Sequence, residues 1–351
     1  MFEQFIGTKP VEERHRIELA ALEKYLGFNI KEIEQFKGGQ SNPTYRLTAA
    51  DGKKWVLRRK PPGKLLPSAH AVDREYRVIS ALHQKNFPVA RPLVLCEDDA
   101  VIGTMFYVMD CVDGRVLWDQ ALPGMTRGQR AAIWDELNNV IATLHTIDYR
   151  AVGLEGFGKP GNYIERQVAR WSKQYRASET ERVEAMDNLI DWLPRNIPPE
   201  AGTAVVHGDF RLDNVVFHPS EPKILAVLDW ELSTLGDPLA DFAYHCMSWH
   251  IPPGAFRGIA GLDLDALGIP TERTYLGNYC KRTNRPGVDA SHWDFYLAYN
   301  LFRIAAILQG IKKRVVEGTA ASAHAADAGS RVQPLARLGW QQVEKILRRA
   351  A

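Results

Sequence analysis

The chain has 351 residues, with 44 Lys and Arg against 42 Asp and Glu and a formal net charge of +2. That length suggests about two domains, and folding buries about 75% of the unfolded surface, enough without disulfide or metal staples. Near-neutral charge gives no electrostatic ground for nucleic acid or a membrane as partner. The four cysteines, Cys96, Cys111, Cys246 and Cys280, form no Cys-x-x-Cys or His-associated zinc spacing and read as core thiols in a reducing cytoplasm.

In chain order, Met1 to Pro10 lacks a basic start and an apolar run, so no secretory signal is expected. Residues 11–26 have helical periodicity through Ile17, Leu19, Leu22 and Leu26, with Gly27 as the stop. Ile30 to Phe36 and Thr44 to Leu47 read as strands around Lys37-Gly38-Gly39-Gln40-Ser41-Asn42-Pro43. Gly38 and Gly39 let backbone N–H groups turn toward a ligand, and Ser41 and Asn42 add donors, a concavity that can hold phosphate. An ordinary hairpin turn has the same composition. Asp51-Gly52 turns the chain again into a third strand, Lys54 to Lys60, carrying Arg58 and, on the same side, Lys60. Ser68 is placed to cap a helix over 69–84 that contains Glu75; His70 in its first turn has no evident role. Val89 to Leu95 and Ile102 to Met109 read as strands, followed by Asp110-Cys111-Val112-Asp113-Gly114. Arg130 to Thr146 is strongly helical, with His145 near its end reading as a packed or C-terminal histidine. Two further helices, Tyr163 to Trp171 and Val183 to Leu193, are rich in Trp and Arg. Segments 242–250, 271–283, 291–317 and the basic amphipathic Leu335 to Arg349 read as helices, while 318–329 is either an Ala-rich helix or a loop. The most apolar of these, about 294–311, is interrupted by Arg303, and no stretch of about 18 residues is apolar and uncharged.

The most informative stretch is Val205 to Asp241. His207-Gly208-Asp209-Phe210-Arg211-Leu212-Asp213-Asn214 leads into the apolar run Val215 to Phe217, a turn marked by Pro219, Ser220 and Pro222, and a second run from Ile224 to Leu228. Such a hairpin brings Asn214 and Asp229 together at its open end, with Asp209 on the loop just outside. Hard oxygen ligands converging there suit Mg²⁺, which takes its remaining oxygens from water and phosphates. A carboxylate not needed for metal could accept a proton from a hydroxyl. Singly, Asp and Asn near turns are usually turn formers; the joint pattern is rare by chance.

The segment resembles the catalytic and metal-binding loops of kinases, which read His-Arg-Asp-x-x-x-x-Asn and Asp-Phe-Gly. His207-Gly208-Asp209, Asp229-Trp230-Glu231 and Gly236-Asp237-Pro238-Leu239-Ala240-Asp241 are similar to the aminoglycoside phosphotransferase and choline kinase superfamily. Within it, Val56 to Gly63, Ser68-Ala69-His70, Val112 to Val116 and Asp229 to Pro238 are similar to the kinase-like domain fused to some acyl-CoA dehydrogenases. The resemblance implies an α+β, two-lobed, protein-kinase-like fold. A helical extension, 1–27, precedes a small antiparallel-sheet lobe, 28–113, and a larger, mainly helical lobe, 114–351.

It further implies ATP and Mg²⁺ as cofactors and a small-molecule hydroxyl as acceptor. Asp209 would orient or deprotonate that hydroxyl, and Asn214 and Asp229 would hold Mg²⁺ against the phosphates. Asp241 would brace the catalytic loop through its backbone. The phosphate-gripping basic residue falls on Arg58, where protein kinases carry lysine, a swap that is not neutral; Lys60 could share the role. Glu75 is its expected partner, and backbone groups from Asp110 to Val112 would meet the adenine edge. Inserted helices of the superfamily line the acceptor, so Arg166, Arg170 and Trp171 could face an anion, although packing and solvated faces explain them as well. Asp229 and Asp241 are only twelve residues apart, too few for the peptide-docking segment of a protein kinase. A basic, aromatic insertion suits a hydroxyacyl-CoA acceptor better than a cationic aminoglycoside, the alternative acceptor. A nucleotide-binding pseudokinase is the non-enzymatic alternative.

Overall fold

The structure, a computed structural model, describes residues 6–38, 42–61, 70–254, 256–318 and 325–351, without the side chains of 325–327. Gly39, Ser41 and the expected cap Ser68 lie outside the described residues. The chain divides into two compact units: Met1–Trp118 with Tyr149–Phe157 and Leu212–Ser233, and Asp119–Asp148 with Gly158–Arg211 and Thr234–Ala351.

The first unit is built on a six-stranded antiparallel sheet of β1 (Thr8–Lys9), β2 (Ile30–Phe36), β3 (Thr44–Ala49), β4 (Lys54–Arg59), β5 (Pro92–Cys96) and β6 (Phe106–Asp110). Their order is β1-β2-β3-β4-β6-β5. Along β3 burial alternates, with Tyr45, Leu47 and Ala49 inward, the period-two signature of a half-buried strand. Strand β4 lies between β3 and β6 and buries Trp55 through Arg59. Leu22, Leu47, Leu57, Phe106 and Val108 form the core on one side, each such side chain contributing about 1.5–3 kcal/mol. Helix α1 (Leu19–Leu26) ends at Gly27, whose φ of +77° closes it. Helix α2 (Val72–His83) turns Val72, Glu75, Val78, Ile79 and Leu82 inward.

The hairpin of Val215–Phe217 and Ile224–Val227 belongs to this unit although it follows the sheet by about a hundred residues. Val227 N–H donates to the Pro88 carbonyl at 2.8 Å, and Phe87 meets Trp230 edge-on at 6.0 Å between centroids. These contacts explain why compactness does not divide the chain at 113/114: the hairpin folds back onto the sheet unit.

In the second unit the helices are α3 (Arg127–Thr146), α4 (Tyr163–Ser178), α5 (Glu184–Trp192), α6 (Pro238–Cys246), α7 (Leu264–Leu267), α8 (Glu272–Arg282), α9 (Ala290–Val316), α10 (Ala325–Ser330) and α11 (Val332–Ala350). Thr126 and Gln129 close a reciprocal capping box at the start of α3. At α6, Asp237 accepts from the Leu239 and Ala240 amides with Pro238 in the first turn, which starts the helix earlier than the expected 242. Helix α9 is buried almost continuously from Trp293 to Ala306. A two-stranded antiparallel ladder pairs Ala204–Val206 with Thr234–Gly236.

Two expected elements differ. The helix expected over 11–26 is instead a single turn at Glu13–His15 followed by α1. Tyr45 Oη donates to the His15 carbonyl at 2.9 Å, and the Gln35 side chain bonds the His15 ring at 3.1 Å; tertiary hydrogen bonds outweigh the local period. Strand β6 starts four residues later than expected because Asp98 to Gly103 form turns, with the Gly103 amide donating to the Asp99 carbonyl at 2.8 Å.

Candidate active site

In the first unit, β4 carries Arg58 and α2 carries Glu75 on facing sides. Their side chains pair at 2.8 Å (Nε to Oε2) and are only 9% and 2% exposed. Glu75 is also approached by Asn42 Nδ2 at 2.8 Å and Tyr107 Oη at 3.1 Å. Burial pushes the Glu75 carboxyl above its ordinary value, against the opposing pull of Arg58 and the donors Tyr107 and Asn42. The Arg58 guanidinium continues to Asp229 Oδ1 at 3.0 Å and Glu231 Oε2 at 3.4 Å. Burial alone would depress Arg58; the facing carboxylates of Glu75, Asp229 and Glu231 reverse that and hold it above its ordinary value.

Asp229 has φ +64°, a left-handed conformation that costs a non-glycine residue about 1–2 kcal/mol and aims its carboxylate at Arg58. Asn214 stands across the hairpin's open end, where the Leu228 amide donates to its carbonyl at 2.8 Å. Asn214 and Asp229 offer two hard side-chain oxygens, the donor set that suits an ion completed by water and phosphate oxygens.

In the second unit, the loop bearing Asp209 is held from three elements. Asp241 of α6 accepts from the His207 amide at 2.7 Å and the Gly208 amide at 2.8 Å, and it meets His145 Nε2 of α3 at 3.1 Å. Burial pushes the Asp241 carboxyl up, but the hydrogen bond and charge of His145 and the charge of His207 overcome this and hold it below the usual range. From α9, Arg303 Nη2 donates to the Gly208 carbonyl at 2.7 Å and lies 5.1 Å from the Tyr244 ring centre. Tyr244 Oη in turn donates to Asp209 Oδ1 at 2.6 Å, and Arg211 Nη2 pairs with Oδ2 at 3.2 Å. One oxygen of Asp209 is thereby oriented by a neutral donor and the other by a cation.

Several expected site residues sit differently from the sequence expectation. The Asn42 side chain is buried and engaged by Glu75 and by His70 Nδ1 at 2.9 Å, so any phosphate contact there falls to the backbone. This also gives His70 a partner. Gly38 lies two residues past the end of β2, after Lys37, whose amide donates to the Gly7 carbonyl at 3.1 Å. Lys60 follows β4 and approaches Asp73 at 4.0 Å, whereas Arg58 points to Asp229. The Asp110 amide donates to the Arg91 carbonyl at 2.9 Å and the Cys111 amide to the Lys54 carbonyl at 3.4 Å; Val112 follows these bonds. Arg166 bonds the carbonyls of Gly161 and Lys159, and Trp171 is buried with its Nε1 on Gln167. Sequence reasoning missed Tyr244, Arg211 and Arg303. Arg303 alone left a signal, as a charge inside an apolar helix.

A model of the phosphotransferase enzyme family matches residues 32–274. Mouse acyl-CoA dehydrogenase family member 10 is 47% identical over 348 residues, covering 97% of this chain and 32% of the relative. The chain spans 32–45% of the length of the first curated relatives it matches. A Ralstonia eutropha protein provisionally assigned as an aminoglycoside phosphotransferase is 56% identical, with a TM-score of 0.85 over 94% of this chain and 99% of that one. Spectinomycin phosphotransferase, solved with ADP and spectinomycin, shares the fold at 12% identity and a TM-score of 0.61, over 93% of this chain and 98% of that one. The kinase-like α+β fold expected from the motifs therefore stands. Among the described residues no helix is long and apolar enough to cross a membrane.

Proposed function

This chain belongs to the phosphotransferase enzyme family, and from that premise we propose that it transfers the γ-phosphoryl group of ATP to a hydroxyl of a small acceptor, a hydroxyacyl-CoA. The observation that carries the reading is the placement of Asp209, with each carboxylate oxygen given its own donor on a loop braced by Asp241 and Arg303. A turn-forming aspartate needs none of that support. Asp209 orients the acceptor hydroxyl and takes its proton. Arg58, fixed by Glu75, presents a permanent cation to the phosphates, with Gly38, Gly39 and Ser41 as the phosphate turn and Val112 at the adenine edge. Asn214 and Asp229 would hold Mg²⁺, which when bound neutralises phosphate charge. Residues 28–113 carry most of the nucleotide contacts and 114–351 the acceptor contacts and Asp209.

Acyl-CoA chemistry in the name of the mouse relative supports the acceptor. The assignment of the Ralstonia protein favours an aminoglycoside as the second reading. ADP release is to be measured with Mg-ATP against hydroxyacyl-CoAs, aminoglycosides, choline and sugars. Asp209→Asn should cut turnover by about 10²–10⁴-fold with ATP binding retained. Unchanged turnover removes Asp209 from its role, and activity on aminoglycosides alone removes the acyl-CoA acceptor.

A further inference from the structure

Helix α2 begins without a side-chain cap, because Ala71 takes the capping position. The residue before it, His70, has φ +59°, a left-handed conformation that histidine, asparagine and aspartate adopt more readily than most side chains. Its carbonyl accepts from the Val72 amide at 2.9 Å. Its ring bonds Asn42, 28 residues earlier in the chain, with Nδ1 2.9 Å from Oδ1. A backbone held in a sparsely populated region, with its side chain sent across the fold, points to a task for that side chain.

The proton on that bond can be placed. Asn42 is fully buried, and its Nδ2 donates to Glu75 Oε1 at 2.8 Å. Glu75 Oε2 receives Arg58 Nε at 2.8 Å and Tyr107 Oη at 3.1 Å. Beside the permanent cation of Arg58, Glu75 Oε1 accepts, so the NH₂ group of Asn42 faces Glu75 and its oxygen faces His70. That oxygen only accepts, and His70 Nδ1 must carry the proton. Asn42 is thereby clamped at both ends by His70 and Glu75, one just before α2 and one in its first turn. From Glu75 the bonds run on to Arg58, and from Arg58 to Asp229 at 3.0 Å.

We propose that His70 is a positioning residue of the nucleotide site, acting through Asn42. Its Nδ1–H fixes the Asn42 carboxamide against Glu75, and with it the backbone of Asn42, which continues directly from the expected phosphate turn at Gly38 to Ser41. The same bond steadies Glu75 and so the guanidinium that Arg58 presents to the phosphates. Removing it leaves a buried amide oxygen without its donor. The inference rests on the phosphotransfer reading for the ATP phosphates, and its test reads nucleotide binding.

Titration calorimetry of the full chain with Mg-ADP at about pH 8, where an aspartate is ionised, provides that test. His70→Ala should weaken binding by about three- to tenfold, the worth of one hydrogen bond to a buried group. His70→Asn should recover most of the loss, because its Nδ2–H replaces Nδ1–H and asparagine accepts the left-handed backbone. His70→Asp has the same size and backbone tolerance but sets an acceptor against the Asn42 oxygen, so it should bind Mg-ADP no better than His70→Ala. A packing role would not separate these two variants. Asn42→Ala combined with His70→Ala should cost less than the two single losses summed. Wild-type affinity in His70→Ala, equal affinity in His70→Asn and His70→Asp, or fully additive losses with Asn42→Ala overturn the inference while leaving the phosphotransfer reading in place. A wild-type chain that binds no Mg-ADP overturns the phosphotransfer reading, and the inference with it.

Discussion

Replacing Asp241 with asparagine is the sharpest perturbation of the loop that holds Asp209. The carboxylate is buried and receives two backbone amides and one imidazole nitrogen, at 2.7, 2.8 and 3.1 Å. Asparagine keeps the volume but has one acceptor oxygen, so its NH₂ group must face the His207 or Gly208 amide, donor against donor. A buried donor left unsatisfied costs about 1–3 kcal/mol, and losing the charge weakens the bonds that remain. Asp241→Asn should therefore cost about 3 kcal/mol, a large share of a typical total of about 5–15 kcal/mol. The wild-type carboxyl is held below its ordinary range. Its contribution is fully present above the unfolded carboxyl value of about 3.9 and is lost as pH falls through the lower folded value. The variant should lack that acid limb. Urea unfolding at pH 7 and across the acid range measures both effects, and amide exchange at His207 and Gly208 localises them. A cost under about 1 kcal/mol with unchanged exchange at those amides would refute the bracing role.

Three other outcomes are expected. Arg58→Met strands Glu75 and should destabilise by about 3–5 kcal/mol, whereas Arg58→Met with Glu75→Met should cost less than the two single changes summed; additive costs in urea unfolding would dismiss the pair. Gly114→Ala would place a Cβ 2.3 Å from the Phe217 carbonyl oxygen and 2.5 Å from Val216 Cγ1, so a loss of roughly 2 kcal/mol or more is expected, and a wild-type melting temperature would contradict the close approach. His245, pushed down to about 4 chiefly by burial, binds a proton more readily when unfolded. Stability should then be full above about pH 6.5 and fall by about 3 kcal/mol on acidification toward pH 4, and His245→Gln should flatten that slope in a pH series of melts.

The local placement of the candidate residues was legible in the sequence because hairpin geometry is encoded at short range. Asp209 and Asn214 share one loop, Asp229 follows one hairpin later, and the hairpin's geometry sets Asn214 opposite Leu228, the residue before Asp229. The inward faces of β3 and α2 likewise follow from periods of two and of three to four residues. Arg58 and Glu75 could be named from family spacing, but their 2.8 Å approach depends on α2 packing against the sheet.

Contacts made at long range carried no such period. Asn42 read as an outward donor, yet burial turns it onto Glu75. Arg303 read as a flaw in an apolar helix, yet it reaches a carbonyl 95 residues earlier in the chain, at Gly208. Tyr244 had no sequence signal, since a tyrosine beside an apolar run is ordinary core composition. Sequence alone thus determined which residues could do chemistry, through turn and strand geometry that a few neighbouring residues dictate. Only tertiary packing decided which of them are held, and by what, because those outcomes depend on helices α3, α6 and α9 converging on one loop.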